Sequence, residues 1–146
     1  MAEATTNKSV DRIARGMAYM PFMAHLGMEF VEGGDGWVKV RLPFKKENTT
    51  TADALHGGAI ASLIDTTGSM AAWTTSEIGN QRYFGSTVGI TVNYLSGVLA
   101  QECIAEGRVM KRGKEIIYSD VRVTDASGKL CAQGTVVYRI VDRGER

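Results

Sequence analysis

Two spacings of apolar residues divide this chain. Val10, Ile13, Ala14 and Met17 recur at helical intervals, which predicts a short helix over Val10 to Met20 before Pro21 interrupts it. The spacing then shortens to two. Met28 to Glu32 and Trp37 to Leu42 flank Gly33-Gly34-Asp35-Gly36, and Val38, Val40, Leu42 and Phe44 alternate with polar neighbours, the pattern of a hairpin. Helical spacing returns from Gly57 to about Thr75, where Ile60, Leu63, Ile64, Thr67 and Ala71 share a stripe and the remaining positions are mostly small. Nearly uncharged, this second helix should be wrapped by protein on most sides. Gly68 in its middle is ~1 kcal/mol worse than alanine in a helix, so its presence implies close packing on a sheet.

Beyond the helix every apolar run has period two. Val88, Ile90, Val92 and Tyr94 form one alternating set, Cys103, Ala105, Gly107 and Val109 a second, and Ile117, Ser119, Val121 and Val123 a third. Ala132, Gly134, Val136, Tyr138 and Ile140 complete the series. Turn residues separate them at Leu95-Ser96-Gly97, Lys111-Arg112-Gly113-Lys114 and Asp125-Ala126-Ser127-Gly128, and connections this short join antiparallel neighbours. The expected class is α+β, one antiparallel sheet curled around one long central helix. No repeat, Pro-rich linker or low-complexity block divides the 146 residues, so a single domain is expected over 1–146, with 1–26 as an N-terminal helical segment.

Composition narrows the function. The formal net charge is +1, so no long-range field marks the chain as a nucleic-acid binder. No apolar run approaches the ~20 residues that span a bilayer, and the polar, acidic-containing start is unlike a signal peptide. A cytoplasmic protein without membrane or nucleic-acid partners is expected. Cys103 and Cys131 lie in strand-like segments with no CxxC spacing, which predicts reduced core residues rather than a metal site or redox pair.

The candidate chemistry sits at the start of the long helix. Leu55-His56-Gly57-Gly58 opens it, and from Ala54 to Ser76 Asp65 is the only charged residue. A carboxylate in apolar surroundings loses hydration, which costs stability unless something compensates. The glycines let a backbone or ligand come close, and the first amides of a helix have no internal partner, so they can face an anion. Asp65 lies eight residues beyond Gly57, or ~12 Å along one helix axis. The two cannot easily act on one carbonyl carbon within one chain. Two antiparallel copies of the helix in a two-fold dimer would bring them together.

The order of elements and the run from Leu55-His56-Gly57-Gly58 to Asp65 together resemble the hotdog-fold thioesterases, specifically the phenylacetate-degradation (PaaI-like) acyl-CoA thioesterases. The likeness extends from roughly Gly27 to Val141 and is supported by the Thr87 to Tyr94 strand and the basic turn after Arg108. It implies a hotdog fold, hydrolysis of an acyl-CoA thioester, no metal or other cofactor, and an active site shared between two subunits of a homo-oligomer, either a dimer or a dimer of dimers. Asp65 is then the expected general base or nucleophile, and the Gly57 amide the donor that polarises the carbonyl. Thr87, expected on the opposite strand face from Val88 and Ile90, aligns with the family's serine or threonine that holds the attacking water. His56 is a further candidate for orienting the carbonyl or the glycine loop.

One departure is plain. Family members usually carry asparagine six positions before the histidine and glycine three positions after that asparagine, where this chain has Thr50 and Asp53. Thr50 through its hydroxyl, or Asn48 from a shifted loop, could supply the second carbonyl donor, with Gly58 close to the same group. Arg108, Lys111, Arg112 and Lys114 around Gly113 form a local positive patch suited to the phosphates of coenzyme A. The altered loop also admits a different class of function, a hotdog protein that binds or senses acyl-CoA without turnover.

Overall fold

The computed structural model describes residues 7–76 and 82–144. Helix α1, Lys8–Met17, begins at Asn7, whose side-chain oxygen accepts from the amides of Ser9 and Val10 at 3.0 and 3.3 Å. Pro21 does more than end this region: it is the first residue of a second helix, α2, Pro21–Leu26. A proline at that position loses nothing, because the amide it lacks would have no helical acceptor. Gly27, at φ 82°, closes α2 in the left-handed conformation that glycine adopts without strain.

The expected hairpin follows as β1, Glu29–Gly34, and β2, Trp37–Leu42. A single 3-10 turn, Lys46–Asn48, leads into helix α3, Gly57–Thr74. Four strands complete the chain: β3, Tyr83–Tyr94; β4, Cys103–Arg112; β5, Ile116–Asp125; and β6, Leu130–Asp142. They form one sheet in the order β1-β2-β4-β5-β6-β3, with every neighbouring pair antiparallel.

The sheet wraps α3 as the periodicity predicts. Val38, Val40, Leu42, Cys103, Ala105, Ile117, Val121, Val123, Ala132 and Val136 are buried, as are Ile60, Leu63, Ile64 and Ala71 of the helix. Glycines set the distance between the layers. A Cβ on Gly68 would stand 2.5 Å from Val136 Cγ2, one on Gly134 would stand 2.7 Å from Ile64 Cγ2, and one on Gly107 would stand 3.0 Å from the Thr67 carbonyl oxygen. Cys103 and Cys131 are buried free thiols. Burial pushes the Cys103 thiol up to about 12.

Strand β3 departs from simple alternation. Thr87 stands opposite Tyr138 and Ile90 opposite Val136, while the register shifts between Thr87 and Gly89, so Val88 is an extra residue in a bulge. Directly opposed residues share a sheet face. Thr87 therefore faces α3 together with Ile90, Val92 and Tyr94, not away from Ile90 as strict alternation requires.

The two sheet edges differ. Strand β1 has six residues, a bulge between Phe30 and Glu32, and two glutamates, features that discourage pairing with another chain. Strand β3 has twelve residues and no charged side chain, and it exposes Phe84, Val88, Ile90 and Tyr94.

Candidate active site

The loop before α3 is held from both sides. The Asn48 side-chain amide donates to the Leu26 carbonyl at 2.6 Å, and the Asn48 carbonyl accepts from the His56 amide at 2.8 Å. Asn48 is buried, so it ties the end of α2 to the start of α3. Thr50 is exposed, and its amide donates to the Ala54 carbonyl at 2.8 Å. Between them the backbone turns through Ala52 at φ 54° and Asp53 at φ 56°. Asp53 thus adopts a glycine-type conformation where the family pattern has glycine, and Lys46 forms an ion pair with its carboxylate.

His56 caps α3. Its Nδ1 accepts from the Gly58 amide at 2.8 Å, which in the neutral ring leaves the proton on Nε2, pointing away from the helix as a donor. The Gly57 carbonyl accepts from the Tyr94 hydroxyl at 2.8 Å, while among the described residues the Gly57 amide has no acceptor. A free amide at a helix N-terminus is a preorganised donor for a developing oxyanion. Tyr94 was legible only as a core position of its strand. Its polar end anchors the glycine turn.

Asp65 is half-buried, two helical turns further along. Its Oδ1 accepts from the Thr87 hydroxyl at 2.7 Å, so a strand residue and a helix residue meet at one carboxylate. The next two residues on this helix side are Ser69, whose hydroxyl donates to the Asp65 carbonyl at 2.7 Å, and Trp73, whose indole N–H donates to the Tyr138 hydroxyl at 3.0 Å. Burial and the Asp65 charge both push the Tyr138 phenol up, outweighing the opposite effect of the Trp73 hydrogen bond. Tyr138 faces this carboxylate because it is Thr87's partner across the sheet. Its role is visible only once the register is known.

The basic turn lies at the other end of α3 from Gly57. Arg108 is ion-paired with Glu106 at 2.5 Å and stacks over Trp37 at 5.4 Å. Arg112 folds onto its own turn, donating to the carbonyls of Gly113 and Lys114 at 2.5 and 3.2 Å, and reaches Ser76 Oγ at 3.3 Å. Lys111 and Lys114 are exposed and make no ion pair among the described residues. Also among the described residues, no group of three or more His, Cys, Asp or Glu side chains is placed to hold a metal ion, and no helix is long and apolar enough to cross a membrane.

Within the chain, then, the structure joins Asp65 to Thr87 and His56 to Gly57 and Gly58 but keeps the two groups apart along α3. Residues 53–132 match the model of the thioesterase superfamily. Human acyl-coenzyme A thioesterase 13 is 33% identical over 106 residues, which cover 71% of this chain and 73% of that protein. The proofreading thioesterase EntH of Klebsiella pneumoniae is 31% identical over 111 residues, covering 75% of this chain and 77% of that protein. In fold, the crystal structure of a thioesterase from Haemophilus influenzae superposes with a TM-score of 0.83 at 20% identity, covering 94% of this chain and 93% of that one.

Proposed function

Because this chain belongs to the thioesterase superfamily, we propose that it hydrolyses acyl-CoA thioesters at a site assembled from two copies, with Asp65 as general base or nucleophile. The observation that carries this reading is the Asp65 carboxylate, half-buried on an apolar helix and held by Thr87 at 2.7 Å. A carboxylate with one oxygen fixed keeps the other for a water or for the carbonyl carbon.

The Gly57 amide polarises the thioester carbonyl, and the Nε2 proton of His56 is a second donor beside it. Charge developing on the carbonyl oxygen as the tetrahedral centre forms is met by donors already in place. With Asp65 as base, water adds to the carbonyl, and collapse of that centre breaks the C–S bond as the proton taken from water passes to the thiolate, giving coenzyme A as its thiol and the acyl group as a carboxylic acid. With Asp65 as nucleophile, the same cleavage leaves a mixed anhydride on Asp65, which water then hydrolyses to the acid. Lys111 and Lys114, exposed and without an ion pair among the described residues, are our candidates for the coenzyme A phosphates. Thr50 and Asn48 act through the loop that positions His56, given the backbone and buried contacts they make.

The second copy follows from spacing and from the sheet edge. Gly57 and Asp65 lie ~12 Å apart on one helix, so one chain cannot close both on a single carbonyl. An uncharged twelve-residue edge strand with exposed apolar side chains is a surface that soluble proteins cover. A two-fold mate along β3 would cover it and lay the helices antiparallel, Gly57 of each toward Asp65 of the other.

The direct test is thiol release from a panel of acyl-CoAs by the wild-type chain and by Asp65→Asn. Loss of ~10²- to 10⁴-fold in kcat, with unchanged affinity for a non-hydrolysable thioether analogue, is expected. Tight acyl-CoA binding with no hydrolysis by the wild type would instead assign the protein to binding or sensing.

A further inference from the structure

Between α1 and α3 lies a groove of about 220 Å³, floored by Met70 and Trp73 and walled by Arg12, Ile13, Gly16 and Met20. Its lining is almost wholly apolar. Gly16 is the odd member, being a glycine inside a helix, where alanine would be better by ~1 kcal/mol. A Cβ built there would meet nothing within 4 Å, so no close packing requires glycine. What the missing side chain does is keep the groove open.

One residue of the groove, Trp73, lies on the same run of α3 as the reaction centre. Asp65, Ser69 and Trp73 follow one another at intervals of four along α3 and are all half-buried. Trp73 is the junction. Its indole N–H is fixed on the Tyr138 hydroxyl, its ring lies edge-on to Tyr138 at 6.2 Å, and the same ring lines the groove. The rings also fill the place of a side chain at position 85, where a Cβ would stand 2.5 Å from Trp73 Cζ2 and 2.7 Å from the Tyr138 hydroxyl. Trp73 is thus packed tightly on the strand side, while toward α1 it borders the groove.

Resting on the thioester reading above, we propose that the substrate's acyl chain runs from the carbonyl at Asp65 past Ser69 and Trp73 and buries its tail in the α1–α3 groove. The eight residues from Asp65 to Trp73 span ~12 Å along the axis. With C–C bonds of about 1.5 Å in a zigzag, that distance takes roughly ten carbons. Unbranched medium-chain acyl thioesters are the substrate class that fills it. Each methylene buried in such a groove is worth a factor of roughly four in affinity, which makes chain length the property it selects.

The test measures kcat/KM for saturated acyl-CoAs from four to sixteen carbons, with the wild-type chain and Gly16→Leu. The wild type should rise at least ten-fold from butyryl- to decanoyl-CoA and level off beyond twelve carbons. Gly16→Leu, which fills the groove with a better helix former, should lower the decanoyl-to-butyryl ratio at least ten-fold without lowering Tm. Met20→Ala widens the groove at a residue 45% exposed and should move the optimum to longer chains. A wild-type optimum at four carbons or fewer, or a ratio unmoved by both variants, overturns the proposal. Binding of S-decyl-coenzyme A against S-methyl-coenzyme A by calorimetry reads the groove without turnover. Tighter decyl binding that Gly16→Leu removes supports it even if no thioester is cleaved, and equal affinities overturn it even if thioesters are.

Discussion

The Thr87 hydroxyl donates to Asp65 Oδ1 at 2.7 Å, joining the free edge of the sheet to the central helix at one carboxylate. The bulge at Val88 is what permits this. It puts Thr87 on the α3 side while keeping Ile90, Val92 and Tyr94 there too, so one strand serves both Asp65 and, through Tyr94, the Gly57 carbonyl. Strict alternation would turn one of these contacts away.

Removing that hydroxyl tests its part in the reaction. A hydrogen bond to a charged group contributes about 1.5–3 kcal/mol, so Thr87→Val should lower kcat by roughly 10- to 100-fold. Thr87→Ser keeps the donor and should retain most of the rate. Steady-state thiol release with both variants decides. A loss in Thr87→Ser with little change in Thr87→Val, which keeps the methyl group, would assign the effect to packing instead.

Sharing of the site between copies has its own signature. Proline is well suited to the first position of a helix and has no N–H, so Gly57→Pro removes the proposed oxyanion donor with little cost to folding. It should lose ~10²- to 10³-fold in kcat. Co-refolded with Asp65→Asn, it forms mixed pairs in which one site holds both intact residues. Statistical pairing should then restore about a quarter of wild-type activity from two inactive parents. Activity that stays at the level of the parents would place both residues in one chain's site.

The strand faces and the long helix were readable because period two and period 3.6 leave separate marks on apolar positions. Val38, Val40 and Leu42, like Val121 and Val123, are buried as their spacing predicts. Gly68 was readable as a contact because glycine in a helix has a local cost that some neighbour must explain. The bulge at Val88 was not, since Thr87-Val88-Gly89 satisfies alternation until the partner strand is known. Tyr138 and Tyr94 read as core residues because their polar ends meet partners 65 and 37 residues away in the chain. The occupied state of Arg112 was hidden for the same reason, as it reaches back to Ser76 at the end of α3.

The left-handed backbone at Asp53 predicts a stability gain. Left-handed conformation costs an L-residue ~1–2 kcal/mol, less for aspartate than for most, and glycine avoids it. Asp53→Gly should therefore raise stability by ~0.5–1 kcal/mol, because the exposed Lys46 ion pair that it forfeits contributes little. Thermal unfolding should show Tm higher by about 2–4 °C. A lower Tm would mean that the pair with Lys46 outweighs the backbone term.

Cys103 gives stability an alkaline limit. Its thiol is held at about 12 in the fold against an ordinary 9.0, because burial disfavours the thiolate. The unfolded chain therefore releases that proton first as pH rises. The contribution is complete below about pH 9 and declines toward pH 12 by at most ~1.4 kcal/mol per pH unit. Urea unfolding at pH 8 and pH 10 should show a larger drop for the wild type than for Cys103→Ala. The native thiol should also resist iodoacetamide at pH 8, and rapid labelling would contradict its burial.

The bare, uncharged rim at Tyr83–Tyr94 also bears on output per molecule. If catalysis needs two chains lying along that rim, the yield of each chain depends on how many others surround it. Dilution should then depress specific activity before it unfolds anything, and a cell could tune hydrolysis steeply through copy number alone.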